Sequence, residues 1–503
     1  VTKLPGVPGR TSPAWALFQD WAGVLADLAG AGALSGWDRE TLMPPAGAEG
    51  RAQQLGTLAA LHHRELVRED AGAALEELAA DPELDEAAQA MIRVAARERD
   101  RATGVPEELV RAVSEACSRC VTAWIAARPA GDLPAFLAAL RPVVELKRRE
   151  AEAIGGDGEP YDALLEGFEP GARAATVAPV LADLRERLAP LVARAAEREP
   201  AGLPPRTWAE DAQMELAHEV ARRVGFDAAG GVIARSAHPF TTTTHHGDVR
   251  FTTRLDPADP IGNITAVLHE AGHALYEQGF PAETARTPLH DAPSLGAHES
   301  QSRFLENHVG RTAAFWRLLE PDMRRHFPEA MKGIDAAALH RAASSVRPSP
   351  IRVEADEVTY NLHIVLRFEL ELALIRGDLD VDDLPAAFDD AMERLLGIRP
   401  PSHADGVMQD IHWPQGLFGY FPTYTLGNLY AAQLAETCDT ALGGLEDAVA
   451  AGRFDDVLGF MRDRIHRHGR RFDTPDLMRR ATGRDLDADA LIAHLTRVVD
   501  ASA

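Results

Sequence analysis

The chain has 503 residues, 46% of them hydrophobic, a formal net charge of −25 and three cysteines. This composition is ample for a large buried core, and its acidity argues against nucleic acid and anionic membranes as partners. There are too few cysteines for a disulfide framework, no run of about 18 apolar residues to span a bilayer, and no apolar signal-peptide core in Val1–Gly6. A cytoplasmic protein is therefore expected.

Residues 13–33 place Trp15, Phe18, Ala22, Leu25 and Leu28 near one stripe, the 3.6-residue period of an amphipathic helix. Met43-Pro44-Pro45 breaks the pattern. The spans 46–80, 86–103, 106–127, 133–154, 174–197 and 207–224 repeat the period, with Pro or Gly between them. Cys117 and Cys120 form a lone CxxC without a second pair or a βαβ setting. They read, with Cys438, as reduced thiols. The helical rule fails at His238-Pro239-Phe240 and the four threonines Thr241–Thr244, followed by His245-His246-Gly247-Asp248 and then Val249-Arg250-Phe251-Thr252-Thr253-Arg254. This predicts two short strands joined by a turn, with His245 and His246 as exposed imidazoles. Beyond the hairpin the chain reads as helical almost to its end, apart from a loop at 399–427. The expected fold class is all-α with a minor β element. With no Gly/Ser linker, low-complexity block or repeat, residues 1–503 read as a single domain with room for two lobes around a groove.

The chemistry centres on His269-Glu270-Ala271-Gly272-His273, within an apolar helical stretch running from Thr265 to Glu277. Residues four apart share a helix face, so both imidazoles can reach one ion. Glu270 lies about 100° round the helix from His269, where a general base would stand. A third ligand must come from elsewhere. The metzincin continuation is ruled out, because Tyr276 and Gly279 stand where that class needs Gly and His. The next polar helix start, Gly296-Ala297-His298-Glu299-Ser300-Gln301, offers Glu299 to complete a His₂Glu catalytic zinc set. On spacing alone His298, Glu277 and Glu306 compete with it, and Glu306 fits equally a carboxylate supporting a ligand.

Two further segments carry candidate groups. Ile351 to Tyr360, after Pro348 and Pro350, reads as a helix start in which Arg352 either pairs with Asp356 four residues on or grips a substrate carboxylate. Arg250 on the hairpin is a second candidate for that grip. In the 399–427 loop, His412 and Tyr420 are candidate donors to a tetrahedral oxyanion, or else aromatic pins of the loop.

Taken in order, His238-Pro239-Phe240, Asp248-Val249-Arg250-Phe251-Thr252, His269 to His273, His298-Glu299-Ser300-Gln301, Ile351-Arg352-Val353-Glu354-Ala355-Asp356 and Gly406-Val407-Met408-Gln409-Asp410-Ile411-His412-Trp413 resemble the carboxypeptidase Taq family of metallocarboxypeptidases. Gly36 to Pro45 and Tyr161 to Glu166 add to the likeness. The resemblance implies a mostly helical body with a deep groove, similar to angiotensin-converting enzyme and neurolysin. It favours His269, His273 and Glu299 as ligands of one zinc or cobalt ion per chain, and Glu270 as general base. It makes Arg352 the holder of the C-terminal carboxylate with Arg250 assisting, His412 and Tyr420 transition-state donors, and Tyr360 and His238 lesser substrate contacts. It further implies a cytosolic homodimer that releases C-terminal residues singly with broad specificity. A zinc oligopeptidase or peptidyl-dipeptidase with the same core is the alternative. Departures at Ala234-Arg235 and His245-His246 concern the groove mouth, not the metal site.

Overall fold

A computed structural model describes residues 12–197 and 200–501. The expectation for Val1–Gly6 lies outside them. The N-terminal part is a run of helices: α1 (Pro13–Thr41), α2 (Ala48–Leu66), α3 (Glu69–Ala79), α4 (Glu86–Gly104), α5 (Glu107–Ala130) and α6 (Leu133–Ile154). Next come α7 (Pro160–Leu165), α8 (Ala174–Ala196) and α9 (Glu210–Arg223), then strands β1 (Gly231–Arg235), β2 (Thr241–His245) and β3 (Asp248–Thr253). The second half holds α10 (Pro260–Glu277), α11 (Leu295–Arg303), α12 (Ala313–His326), α13 (Ala336–Ala343), α14 (Tyr360–Arg376), α15 (Leu384–Leu396) and α16 (Pro422–Leu442). It closes with α17 (Leu445–Ala450), α18 (Phe454–Arg464), α19 (Thr474–Thr482) and α20 (Asp489–Ala501). The molecule is an all-α body with one small sheet, as the periodicity predicts. One continuous core draws on α5 through α20, and a second, built around Trp15, Phe18, Trp21, Leu75, Leu78 and Met91, joins α1, α3 and α4.

Three features depart from the sequence reading. The span 46–80 is two helices, broken at Val67-Arg68. The hairpin gains a third strand, because β1 pairs parallel to β3 while β2 pairs antiparallel, giving the order β1-β3-β2. The segment from Ile351 does not start a helix. Arg352–Glu354 form one 3₁₀ turn, and α14 begins only at Tyr360. Asp356 explains this: its carboxylate accepts from the backbone N–H groups of Val358 (2.9 Å), Thr359 (3.0 Å) and Arg347 (2.9 Å). A carboxylate satisfied by local backbone donors holds the chain in a turn and is not free for Arg352.

The sheet and two helix crossings position the site. In β2, alternate side chains share a face, so Thr241 and Thr243 both donate to α10, Thr241 to Glu270 Oε2 (2.6 Å) and Thr243 to Glu277 Oε2 (2.9 Å). α10 starts at the cap Asp259, which accepts from Gly262 N–H (2.9 Å), with Pro260 following it. α11 starts at Ser294, which accepts from Ala297 N–H (3.0 Å). The two helices meet at Gly272, where a Cβ would lie 2.5 Å from the Gln301 carbonyl oxygen and 2.6 Å from Ser302 Cα. The sequence leaves open whether Gly272 faces a neighbour or a substrate; it faces the backbone of α11. Gly427 of α16 similarly makes room for Glu299, whose Cγ would lie 2.5 Å from an added Cβ. Gly272→Ala is expected to force α10 off α11 and to cost about 1–3 kcal/mol, read as a lowered denaturation midpoint.

Candidate metal centre and active site

The close crossing brings three donors together. One ligand atom from each of His269, His273 and Glu299 lies within 4.8 Å of the others. Both imidazoles present Nε2 to the same carboxylate oxygen, Glu299 Oε2, at 3.7 Å from His269 and 3.4 Å from His273. The two rings stand edge to face, 4.9 Å between centroids.

The three rival donors of the sequence reading sit behind this trio. Glu306 Oε2 lies 2.9 Å from His269 Nδ1. A carboxylate only accepts, so the proton sits on Nδ1 and the Nε2 lone pair is left for a metal. His298 Nδ1 lies 2.6 Å from His273 Nδ1, and His298 Nε2 donates to Glu277 Oε1 at 2.9 Å. A π-helical turn, Phe304–Gly310, follows α11 and carries Glu306. Arg303, which the sequence reading passed over, ties the carboxylates together. It donates to Glu299 Oε1 (2.7 Å) and Glu306 Oε2 (3.1 Å), while Arg311 donates to Glu306 Oε1 (3.0 Å). Its signal in the sequence was its place one turn after Glu299.

This charge balance prepares the donors. Burial would raise both acids, but the Arg303 charge and neighbouring imidazoles hold Glu299 and Glu306 well below the ordinary carboxylate range. Burial, with the charge of His298, pushes His273 down to about 3. A deprotonated carboxylate beside two imidazole Nε2 atoms is the donor chemistry of a divalent metal site, so these residues fit one. Glu270, buried on the same helix, keeps its carboxyl above the usual range through burial, while the His269 charge and the Thr241 hydroxyl oppose that rise.

A second constellation surrounds Arg352. The side chain is buried and does not pair with Asp356; it donates from Nε (3.1 Å) and Nη2 (2.9 Å) to Asp410 Oδ1 and from Nη1 to Tyr360 OH (3.2 Å). Arg367 holds the other oxygen of Asp410, at 2.6 Å. Two guanidinium groups thus share one carboxylate, leaving local positive charge. Tyr360 in turn lies under Arg303, 4.7 Å from its guanidinium carbon to the ring centre. His412 Nε2 is 3.3 Å from Tyr424 OH, and its ring packs on Phe421 (4.4 Å) and Tyr420 (5.3 Å). Burial pushes His412 down to about 4 despite Asp410, so the imidazole is neutral near pH 7. Burial raises the Tyr420 phenol. The structure therefore groups Arg352, Tyr360, His412 and Tyr420, with Tyr424 as a member given no role from sequence. Arg250 is placed differently: both its hydrogen bonds go to Asp248 (2.7 Å each), and it lies over Trp37. His238 is exposed ahead of β2.

Glu371 organises the loop that bears His412 and Tyr420. Fully buried on α14, it accepts from Tyr161 OH (2.8 Å), Trp413 Nε1–H (3.0 Å) and Gly419 N–H (3.0 Å). Two of those donors are sequence neighbours of His412 and Tyr420.

The carboxypeptidase Taq (M32) metallopeptidase profile matches residues 18–499. The chain belongs to that family. It is 42% identical over 487 residues to thermostable carboxypeptidase 1 of Thermus thermophilus, covering 94% of this chain and 95% of that one. It is 34% identical to carboxypeptidase 1 of Bacillus subtilis over 92% and 93% of the two chains. Among solved structures, the M32 carboxypeptidase from Deinococcus radiodurans superposes with a TM-score of 0.95 at 37% identity, over 98% of this chain and all of that one. The M32 protein is accordingly a metallocarboxypeptidase acting on peptides with a bound metal, and the oligopeptidase and dipeptidase alternatives gain no support. No helix among the described residues is long and apolar enough to cross a membrane.

Two outcomes follow. Glu306→Gln is expected to weaken metal binding about 10–100-fold, as read by competition with a chromogenic chelator. Glu371→Gln turns an amide N–H toward Trp413 Nε1–H, so kcat should fall about ten-fold or more while metal content stays full. Adding Trp413→Phe removes the facing donor and should recover part of the loss in steady-state assays.

Proposed function

We propose that His269, His273 and Glu299 hold a single zinc ion per chain, with cobalt as an acceptable substitute, and that Glu270 is the general base for release of one C-terminal residue at a time. A bound divalent metal supplies Lewis acidity, acidifying the attacking water and polarising the scissile carbonyl. Glu270, steadied by the Thr241 hydroxyl, takes the water's proton and passes it to the leaving amine. His412, through Nε2–H in the tautomer that carries its proton there, and Tyr420 through its hydroxyl, stabilise the developing oxyanion.

The observation that carries single-residue release is a chain of contacts from the metal donors to Arg352. Glu299 bonds Arg303 (2.7 Å), Arg303 covers Tyr360, and the Tyr360 hydroxyl accepts from Arg352 (3.2 Å). A guanidinium linked to the metal donors through Tyr360 and Arg303, with net positive charge around Asp410, suits the free carboxylate of a substrate's last residue. Tyr360 then shapes that subsite. Arg250 and His238 belong to the groove mouth, in supporting contacts to more distant substrate residues; the Asp248 pairing of Arg250 argues against a primary grip. Broad side-chain specificity, a single domain around a deep groove, a homodimeric assembly and a cytoplasmic setting complete the reading, supported by the family likeness and the acidic surface.

The deciding experiment is mass spectrometry of products from one peptide, offered as free acid and as C-terminal amide, with chelator-stripped and zinc- or cobalt-restored enzyme. A ladder shortened by single residues, from the free acid alone and with metal alone, is expected. Dipeptide loss or internal cleavage insensitive to amidation would remove Arg352 from its role. A pH profile tests the base. The Thr241 hydrogen bond favours the ionised carboxylate, so Thr241→Val should raise the Glu270 pKa further. Because Glu270 must be deprotonated to act, the acid limb of kcat/KM should move to higher pH.

A further inference from the structure

Beyond Arg311 lies a cavity of about 710 Å³ between the π-helical turn, the start of α12, α13, α16 and α20. Its lining carries both signs of charge, Arg311 and Arg497 against Glu357, Glu436, Asp439 and Glu446. Glu357 is buried, and its Oε2 accepts from His494 Nε2 at 3.0 Å, but its Oε1 has no hydrogen-bond partner. Buried carboxylate oxygens are nearly always satisfied, so this one calls for a donor from outside the chain. Arg311 faces two ways. It lines the cavity, and it also donates from Nη2 to Glu306 Oε1 (3.0 Å) and from Nε to Asn307 Oδ1 (3.1 Å). A smaller void lined by Arg303, Glu306 and Tyr360 shares Arg311, Asn307 and Glu357 with the larger one, so these three residues border both.

An unpaired acceptor for an ammonium group and arginines for a carboxylate match a zwitterion. We propose that the cavity binds a free α-amino acid, the chemical class of the enzyme's own product, and that this binding loosens the metal centre. The ammonium group donates to Glu357 Oε1. The carboxylate competes with Glu306 for Arg311. Glu306, deprived of that partner, changes its hold on His269 Nδ1, 2.9 Å away. The two states differ in one ion pair, Arg311 to Glu306 or Arg311 to ligand, and the coupling is reciprocal: metal binding weakens amino-acid binding as the amino acid weakens metal binding.

L-Leucine is the probe. Calorimetric titration of leucine into metal-free protein is expected to show saturable binding. Glu357→Gln should weaken it at least about five-fold, and so should Ala493→Trp, which fills the cavity from the exposed face of α20. Leucinamide, lacking the carboxylate, should bind more weakly by a similar factor. In metal-loaded enzyme, leucine should lower kcat through a noncompetitive component that both variants lose while keeping their uninhibited kcat/KM. No binding to metal-free protein, or strictly competitive inhibition untouched by either variant, overturns the proposal. The titration is independent of the Arg352 assignment, so its failure is distinguishable from failure of the free-acid test.

Discussion

Two buried carboxylates, Glu299 and Glu306, interlock with the part-buried guanidiniums of Arg303 and Arg311, and the rest of the site depends on their balance. Glu299 and Glu306 could not stay ionised in this interior alone, since burying an unpaired carboxylate is strongly unfavourable. Arg303 and Arg311 make it possible, and each is itself stabilised in its charged form by the acids it meets. Removing one member would leave the others uncompensated, typically a cost of about 3–5 kcal/mol. The cluster therefore fixes geometry and charge together: it aims Glu299 and His269 and keeps them deprotonated or oriented for a cation.

The same logic recurs around Asp410. One carboxylate serves two arginines, so the pocket is rigid yet electrically incomplete. Aromatic rings of Phe421, Tyr360 and Tyr424 surround Arg352 at 5.2–5.9 Å and exclude water from it. A desolvated cation lacking a full counter-charge is a strong place for an incoming anion. Burying Glu371 at the base of the neighbouring loop adds the positional half of this arrangement, since burial pushes its carboxyl up to about 7 and it keeps its place through three donors.

The sequence made the local chemistry legible and left the long-range pairing hidden. His269 and His273 could be read because four residues on a helix place two rings on one face. The choice among Glu299, Glu306, Glu277 and His298 could not, because it turns on how closely α10 and α11 cross and on a π-helical turn that rotates Glu306 behind His269. Arg352 illustrates the limit. Asp356 was the natural partner by spacing, but local backbone N–H groups claimed it, and a residue 58 positions away took its place. β1 escaped notice because five residues with a parallel partner carry little pattern of their own. Glu371 and Arg303 looked like ordinary charges on helices; only burial shows otherwise.

The four threonines of the edge strand have one more consequence. Thr241 and Thr243 supply hydroxyls to Glu270 and Glu277, while Thr242 and Thr244 point to the other face. A one-residue slip of a strand normally exchanges its two faces and destroys whatever chemistry one face carried. Here a slip that brings Thr242 and Thr244 into the places of Thr241 and Thr243 exchanges threonine for threonine, whereas the opposite slip would bring in Phe240. Near an irregularity in register between Thr243 and His245, the strand is thus fault-tolerant in one direction: Glu270 and Glu277 would still meet a hydroxyl if Thr242 and Thr244 moved into the places of Thr241 and Thr243.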